Sequence, residues 1–201
     1  MKKKKLKINN EEKFDFKCLV IDRHSLKDWY DNGRSYALNW KINLDFYEDI
    51  NNLAKKNQNI LFLIKSKNYD WTKIPYFQNI LKEFKFSSNI IILNDPYNWT
   101  PTNCLTNTNF GIAKMSSLAD EMLVLNKPII IYEKDDPSFV YDYGTEILSQ
   151  SFTDLENKVF RIKKDIENYN KNLGVIREKF YTKFDEKKIN SELDKINSIN
   201  E

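Results

Sequence analysis

The sequence predicts an α/β fold, a doubly wound, mainly parallel sheet of about five or six strands in a Rossmann-like arrangement, followed by C-terminal helices. Three observations carry this. Five short apolar runs recur along the chain, segments of helical hydrophobic period separate them, and one run, Ile129–Tyr132, is β-branched in the way of a strand buried on both faces. Strand–helix alternation of this kind builds a parallel sheet with right-handed crossovers.

The first strand is expected at Cys18–Ile21 and the second at Ile60–Ile64. Between them Leu38, Ile42, Phe46, Ile50 and Leu53 keep a helical spacing among charges and amides. The third strand falls at Asn89–Leu93, after a connection in which Phe77, Ile80, Leu81 and Phe84 mark a second apolar stripe. Trp99–Asn109 is polar with little periodicity and reads as a loop or one short turn. The fourth strand is Phe110–Ala113. A Ser-Ser turn follows, with Ser116 and Ser117 suited to capping a helix because their hydroxyls satisfy first-turn N–H groups that lack an intrahelical partner. Leu118, Met122 and Leu125 are the expected inner stripe of that helix, and Lys127-Pro128 ends it before the fifth strand, Ile129–Tyr132. From about Phe152 the chain reads as one or two lysine-rich helices with Leu155, Val159, Ile162 and Ile166 inward, broken at Asn172–Gly174. The expected organisation is a basic tail over residues 1–16, a Rossmann-like unit over 17–151, and C-terminal helices over 152–201.

At 201 residues, one domain with a sizeable core is expected, and 41% hydrophobic and 14% aromatic residues exclude a disordered chain. The 32 basic and 29 acidic side chains nearly cancel, so the net charge of +3 makes no case for nucleic acid. Cys18 and Cys104 are isolated, which fits a reducing cytoplasm. No apolar h-region precedes Phe14 and no apolar run reaches bilayer length, although the lysines of Met1–Lys7 suit peripheral attachment to an anionic inner leaflet.

Ligands of doubly wound sheets bind outside the carboxyl ends of the strands. Those ends carry, in order, Asp22-Arg23-His24-Ser25, Lys65-Ser66-Lys67, Asn94-Asp95, Met115-Ser116-Ser117 and Glu133 to Asp136. Cations, one imidazole, hydroxyls and a helix start suit a phosphorylated ligand, since a helix N-terminus offers N–H donors and a positive dipole end. His24, the sole histidine, cannot form a multi-histidine metal site, and Asp135-Asp136 reads as a polar loop rather than a metal site. With four glycines, the chain has neither a GxGxxG nor a Walker A cradle, and no Gly-x-Ser-x-Gly elbow.

The string Ser-Ser-x-x-x-Glu-x-x-x-Leu-x-Lys-Pro-Ile-Ile at residues 116–130 resembles the C-terminal, donor-binding half of GT-B glycosyltransferases. It is most similar to the bacterial surface and capsular polysaccharide transferases and their CDP-glycerol glycerophosphotransferase relatives. Weaker resemblance runs from about residue 17 to 185. The resemblance implies that Ser116 and Ser117 contact the diphosphate of a nucleotide-sugar and that Glu121, or Asp120 one position off, reaches the ribose. Lys65, Lys67 and Arg23 stand as further phosphate contacts and His24 as the catalytic base. The implied reaction is metal-independent sugar transfer to a glycan acceptor, with no cofactor beyond the donor substrate. The chain departs from the CDP-glycerol relatives at Ala113-Lys114-Met115, where they carry Thr-Asp-Tyr, and at Lys65-Ser66-Lys67-Asn68, where they carry Lys-x-His-Pro. These departures turn the reading away from glycerol-phosphate transfer and toward a surface-sugar transferase. GT-B enzymes hold the acceptor and usually the base on the other of two domains, so the expectation is one half of an enzyme: a fragment, a subunit that pairs with an acceptor domain, or a remnant without activity. A non-catalytic nucleotide-binding or interaction module and a sugar-nucleotide epimerase half are the alternatives.

Overall fold

The computed structural model describes residues 13–22, 40–65, 85–93, 95, 97–114, 116–134 and 144–180. Its elements are β1 (Phe16–Ile21), α1 (Trp40–Lys56), β2 (Ile60–Lys65), β3 (Ile90–Ile92), α2 (Pro101–Thr106), β4 (Phe110–Ala113), α3 (Ser117–Val124), β5 (Ile129–Tyr132), β6 (Leu148–Ser149), α4 (Phe152–Lys164), α5 (Ile166–Asn172) and α6 (Gly174–Phe180). The stripe Phe77, Ile80, Leu81, Phe84, together with Leu38, lies outside the described residues.

Among the described residues all strand pairings are parallel, and the six strands run in the order β3-β2-β1-β4-β5-β6. The order reverses between β1 and β4, which makes their carboxyl ends the topological switch point. Every residue of β2, β4 and β5 is buried, as a sheet covered on both faces requires. On one face α1 packs Phe46, Ile50 and Leu53 inward at their helical spacing. On the other, α3 lies so close to β4 that a Cβ on Gly111 would stand 2.5 Å from Met122 Sδ and 2.7 Å from Ile129 Cδ1. Only glycine allows that approach.

Several expectations are corrected by the structure. The polar segment Trp99–Asn109 contains the helix α2, because the Thr100 hydroxyl caps Asn103 N–H at 3.3 Å and Pro101 takes the first helical position, where its missing N–H costs nothing. The buried face of α3 is Ala119, Met122 and Leu123, whereas Leu125 is 51% exposed. That helix stops at Val124 and turns away before the stripe can extend. The sheet has the sixth strand that the expected count allowed, β6, which pairs Leu148 with Ile131 and Ser149 with Tyr132 at a place no apolar run marked. The C-terminal segment forms three described helices, with an additional break at Asp165, whose carboxylate caps Asn168 N–H at 2.9 Å. Leu155, Val159 and Ile162 are buried as expected. These helices join the two helical layers. Glu156 pairs with Lys56 of α1 at 2.7 Å, and Arg177 reaches the C-terminal end of α3.

Candidate functional site at the carboxyl edge

The Ser-Ser turn forms the helix start that its hydroxyls favour. Ser116 is extended (φ −154°, ψ 138°) and its Oγ accepts from Leu118 N–H at 3.3 Å, so it is the N-cap and Ser117 the first helical residue. Ser117 and Glu121, one turn apart on the same side of α3, are both exposed. Asp120 is partly buried in the first turn. The other end of α3 closes in a Schellman turn. Asn126 is left-handed (φ 56°), its N–H bonds Leu123 O at 3.0 Å, and Lys127 N–H bonds Met122 O at 2.9 Å. The Lys127 ammonium then bonds the Thr108 carbonyl just before β4. Within the motif, therefore, the serines and Glu121 belong to the open end of the helix, while Lys127-Pro128 holds the helix–strand connection.

Strand register decides which charged residues share a face. Ile21 pairs with Lys65 on one side and Ala113 on the other. Paired residues point the same way and successive ones alternate, so Lys65 shares the face of Gly111 and Ala113, which is the face of α3. Asp22 and Lys114 follow one residue later, joined to the neighbouring strands by Asp22 N–H to Lys65 O (3.0 Å) and Lys114 N–H to Ile21 O (3.1 Å). They point to the α1 face. There the Tyr47 hydroxyl donates to the Asp22 carboxylate, the Lys114 ammonium stands 5.6 Å from the Phe46 ring centroid, and Asp49 accepts from the Tyr132 hydroxyl at 2.7 Å. Asp22, Lys65, Lys114 and Glu133 are all buried, so the carboxyl edge concentrates buried charge of a kind protein interiors seldom hold.

On the α3 face, Lys65 neighbours Cys104 of α2. Burial holds the Lys65 ammonium below its usual range, with the thiol acting weakly in the opposite sense. Burial pushes the Cys104 thiol up to about 12 against the pull of Lys65, and its Sγ contacts the Trp99 carbonyl at 3.7 Å. A thiol so held in its protonated form is a poor nucleophile. Asp95, after β3, organises its own turn. Its Oδ1 accepts from the N–H groups of Tyr97 (2.9 Å) and Asn98 (3.2 Å), and the Asn98 side chain together with these N–H groups holds the carboxyl below its usual range. The turn presents Tyr97, 90% exposed, at the same edge of the sheet.

Of the residues singled out in the sequence, Ser116, Ser117, Glu121 and Lys65 are thus placed at the carboxyl edge on the α3 side. Arg23, His24, Ser25, Ser66, Lys67, Asn94, Met115, Asp135 and Asp136 lie outside the described residues. Tyr97 and the inward turn of Lys114 were not anticipated. An aromatic between Asp95-Pro96 and Asn98 was the available signal for the first. For the second nothing local could serve, since the direction comes from strand pairing. Among the described residues no three His, Cys, Asp or Glu side chains come together as a metal would need, and no helix is long and apolar enough to cross a membrane.

The strand order, the switch point and the helix that opens beside it can be compared with solved structures. The C-terminal domain of a glycosyl transferase group 1 family protein (LpcC) from Francisella tularensis superposes with a TM-score of 0.52 at 11% identity, over 85% of this chain and 88% of that one. The chain has the fold of a GT-B C-terminal domain. This GT-B-like domain also matches the wall teichoic acid polymerase TagF (TM-score 0.55, 15% identity, 90% of this chain, 43% of that one). A proposed UDP-N-acetylglucosamine 2-epimerase from Listeria monocytogenes is similar at 0.53, with 10% identity over 85% of this chain and 43% of that one. The domain therefore spans less than half of the polymerase and epimerase chains. No family model matches the chain, and no curated protein matches it in sequence.

Proposed function

We propose that this GT-B-like domain binds the nucleotide-sugar donor of a glycosyltransferase of surface polysaccharide synthesis. The observation that carries the reading is the Ser116-capped start of α3, which opens beside the β1/β4 switch point with Lys65 on the same face. A diphosphate seated there meets first-turn N–H groups, the positive end of a helix dipole and the two serine hydroxyls. Glu121, exposed one turn further along, is the acceptor for a ribose hydroxyl. Tyr97 offers a ring on which a base can stack. In transfer, the helix start and the lysines Lys65 and Lys67, with Arg23, stabilise charge developing on the leaving diphosphate, without a metal. His24, after β1, is the base proposed for the acceptor hydroxyl. An acceptor domain must hold that hydroxyl in line with the donor, so the isolated chain binds nucleotide weakly and turns over little until such a partner is added.

Calorimetry of the 201-residue chain against CMP, CDP, UDP and GDP tests the reading. One or more nucleoside diphosphates should bind more tightly than CMP. A folded chain that binds none of them overturns it and leaves the interaction-module alternative. The fold likeness to the epimerase supports a second reading, an epimerase half. Conversion of a UDP-sugar to its 2-epimer when the partner half is supplied would favour that reading.

A further inference from the structure

The far end of α3 is held by the C-terminal helices. Arg177 of α6 donates from Nε to the Leu123 carbonyl at 2.8 Å, from Nη1 to the Asn170 carbonyl at 2.8 Å, and from Nη2 to the Asn170 side-chain oxygen. Asn170 of α5 in turn donates from Nδ2 to the Asn126 carbonyl at 2.7 Å. One guanidinium and one amide thus engage the carbonyls that α3 and its Schellman turn present at their C-terminal end. A cation there also complements the helix dipole.

The outer side of α3 has little else to hold it, since Val124 is 59% and Leu125 51% exposed. Eight residues are too few for a helix to persist on propensity alone. Its inner face packs Ala119, Met122 and Leu123 onto β4 and β5, with Met122 seated against Gly111. The contact with Arg177 and Asn170 adds a polar hold at the C-terminal end, where that packing stops.

We infer that Arg177 is a positioning residue. Through the C-terminal end of α3 it holds the Ser116 turn at the opposite end in register with the carboxyl edge of the sheet. The inference rests on the reading of that turn as the nucleotide seat, and it links the C-terminal helices to ligand affinity without any of their residues touching ligand.

The test uses the full chain with Arg177→Ala, Arg177→Lys and Asn170→Ala, measured by amide hydrogen exchange and by calorimetry with CDP and UDP. Arg177→Ala should raise exchange at Leu123, Leu125 and Asn126 about tenfold or more while the amides of β1 and β2 keep their protection. Affinity for the bound nucleotide should fall severalfold, Arg177→Lys should recover part of both effects, and Asn170→Ala should reproduce them with the arginine in place. Unchanged α3 exchange, an equal loss of protection across the sheet, or faster α3 exchange with unchanged affinity each overturns the inference. If the unaltered chain binds no nucleotide, the reading of the site fails and the positioning role falls with it, while the exchange data still report whether Arg177 secures α3.

Discussion

Tyr47 on α1 donates its hydroxyl to the carboxylate of Asp22, the first residue past β1, and both side chains are buried. The pair ties the helix to the switch point of the sheet, beside the inward-turned Lys114. Tyr47→Phe removes one donor from a buried carboxylate and should cost about 1–3 kcal/mol of stability. Urea unfolding measures it. A loss below about 0.5 kcal/mol, the range of ordinary surface substitutions, would mean that the Asp22 carboxylate is satisfied without the phenol.

The buried thiols and phenols predict alkaline sensitivity. Burial raises Cys18, Cys104 (to about 12), Tyr47 and Tyr169 above their ordinary values. The folded chain then binds more protons than the unfolded one once the pH passes the unfolded thiol value of 9.0, and stability falls with pH by about 1.4 kcal/mol per unit for each such group. Lys65, lowered by burial, acts with the opposite sign. The net expectation is full stability below pH 9, falling toward pH 12. Cys104→Ala should flatten that fall, which denaturant titrations at stepped pH would read directly.

Glu121 and Ser116 should separate ligand effects from folding effects. Glu121 is exposed, so Glu121→Ala should leave unfolding unchanged while weakening nucleotide binding about tenfold or more, as the loss of a charge-assisted hydrogen bond does. Ser116→Ala removes the N-cap and should cost about 1 kcal/mol of stability in addition to weakening affinity. Equal nucleotide affinity in calorimetry for both variants and the unaltered chain would take α3 out of the site.

Gly111→Ala should destabilise by about 1–3 kcal/mol, since the new methyl meets Met122 Sδ and Ile129 Cδ1 inside contact distance in a packed core. Shortening the opposing side chain in Gly111→Ala/Met122→Ala should show a favourable coupling between the two sites. Additive losses in the double-mutant cycle would mean that the methyl is relieved elsewhere.

The sequence by itself determined those features that rest on local interactions. Apolar runs of the right length became β1, β2, β4 and β5 because each buries its residues wherever it is placed in a sheet covered on both faces. The start of α3 was legible for the same reason, as a serine cap acts within a few residues of itself, whereas the helix ends at Val124, before the Leu125 that the apolar spacing had placed inward. The Thr100-Pro101 start of α2 was equally local but outweighed by the polarity of the segment around it. Only tertiary structure decided β6, whose two residues carry no period of their own and become a strand by bonding to β5. It also decided the faces. Lys65 and Lys114 each close a strand and look equivalent in the chain, yet pairing with β1 places them one residue out of step. Because side chains alternate along a strand, that single step puts Lys65 on the α3 face, next to Cys104 of α2, and turns Lys114 toward α1.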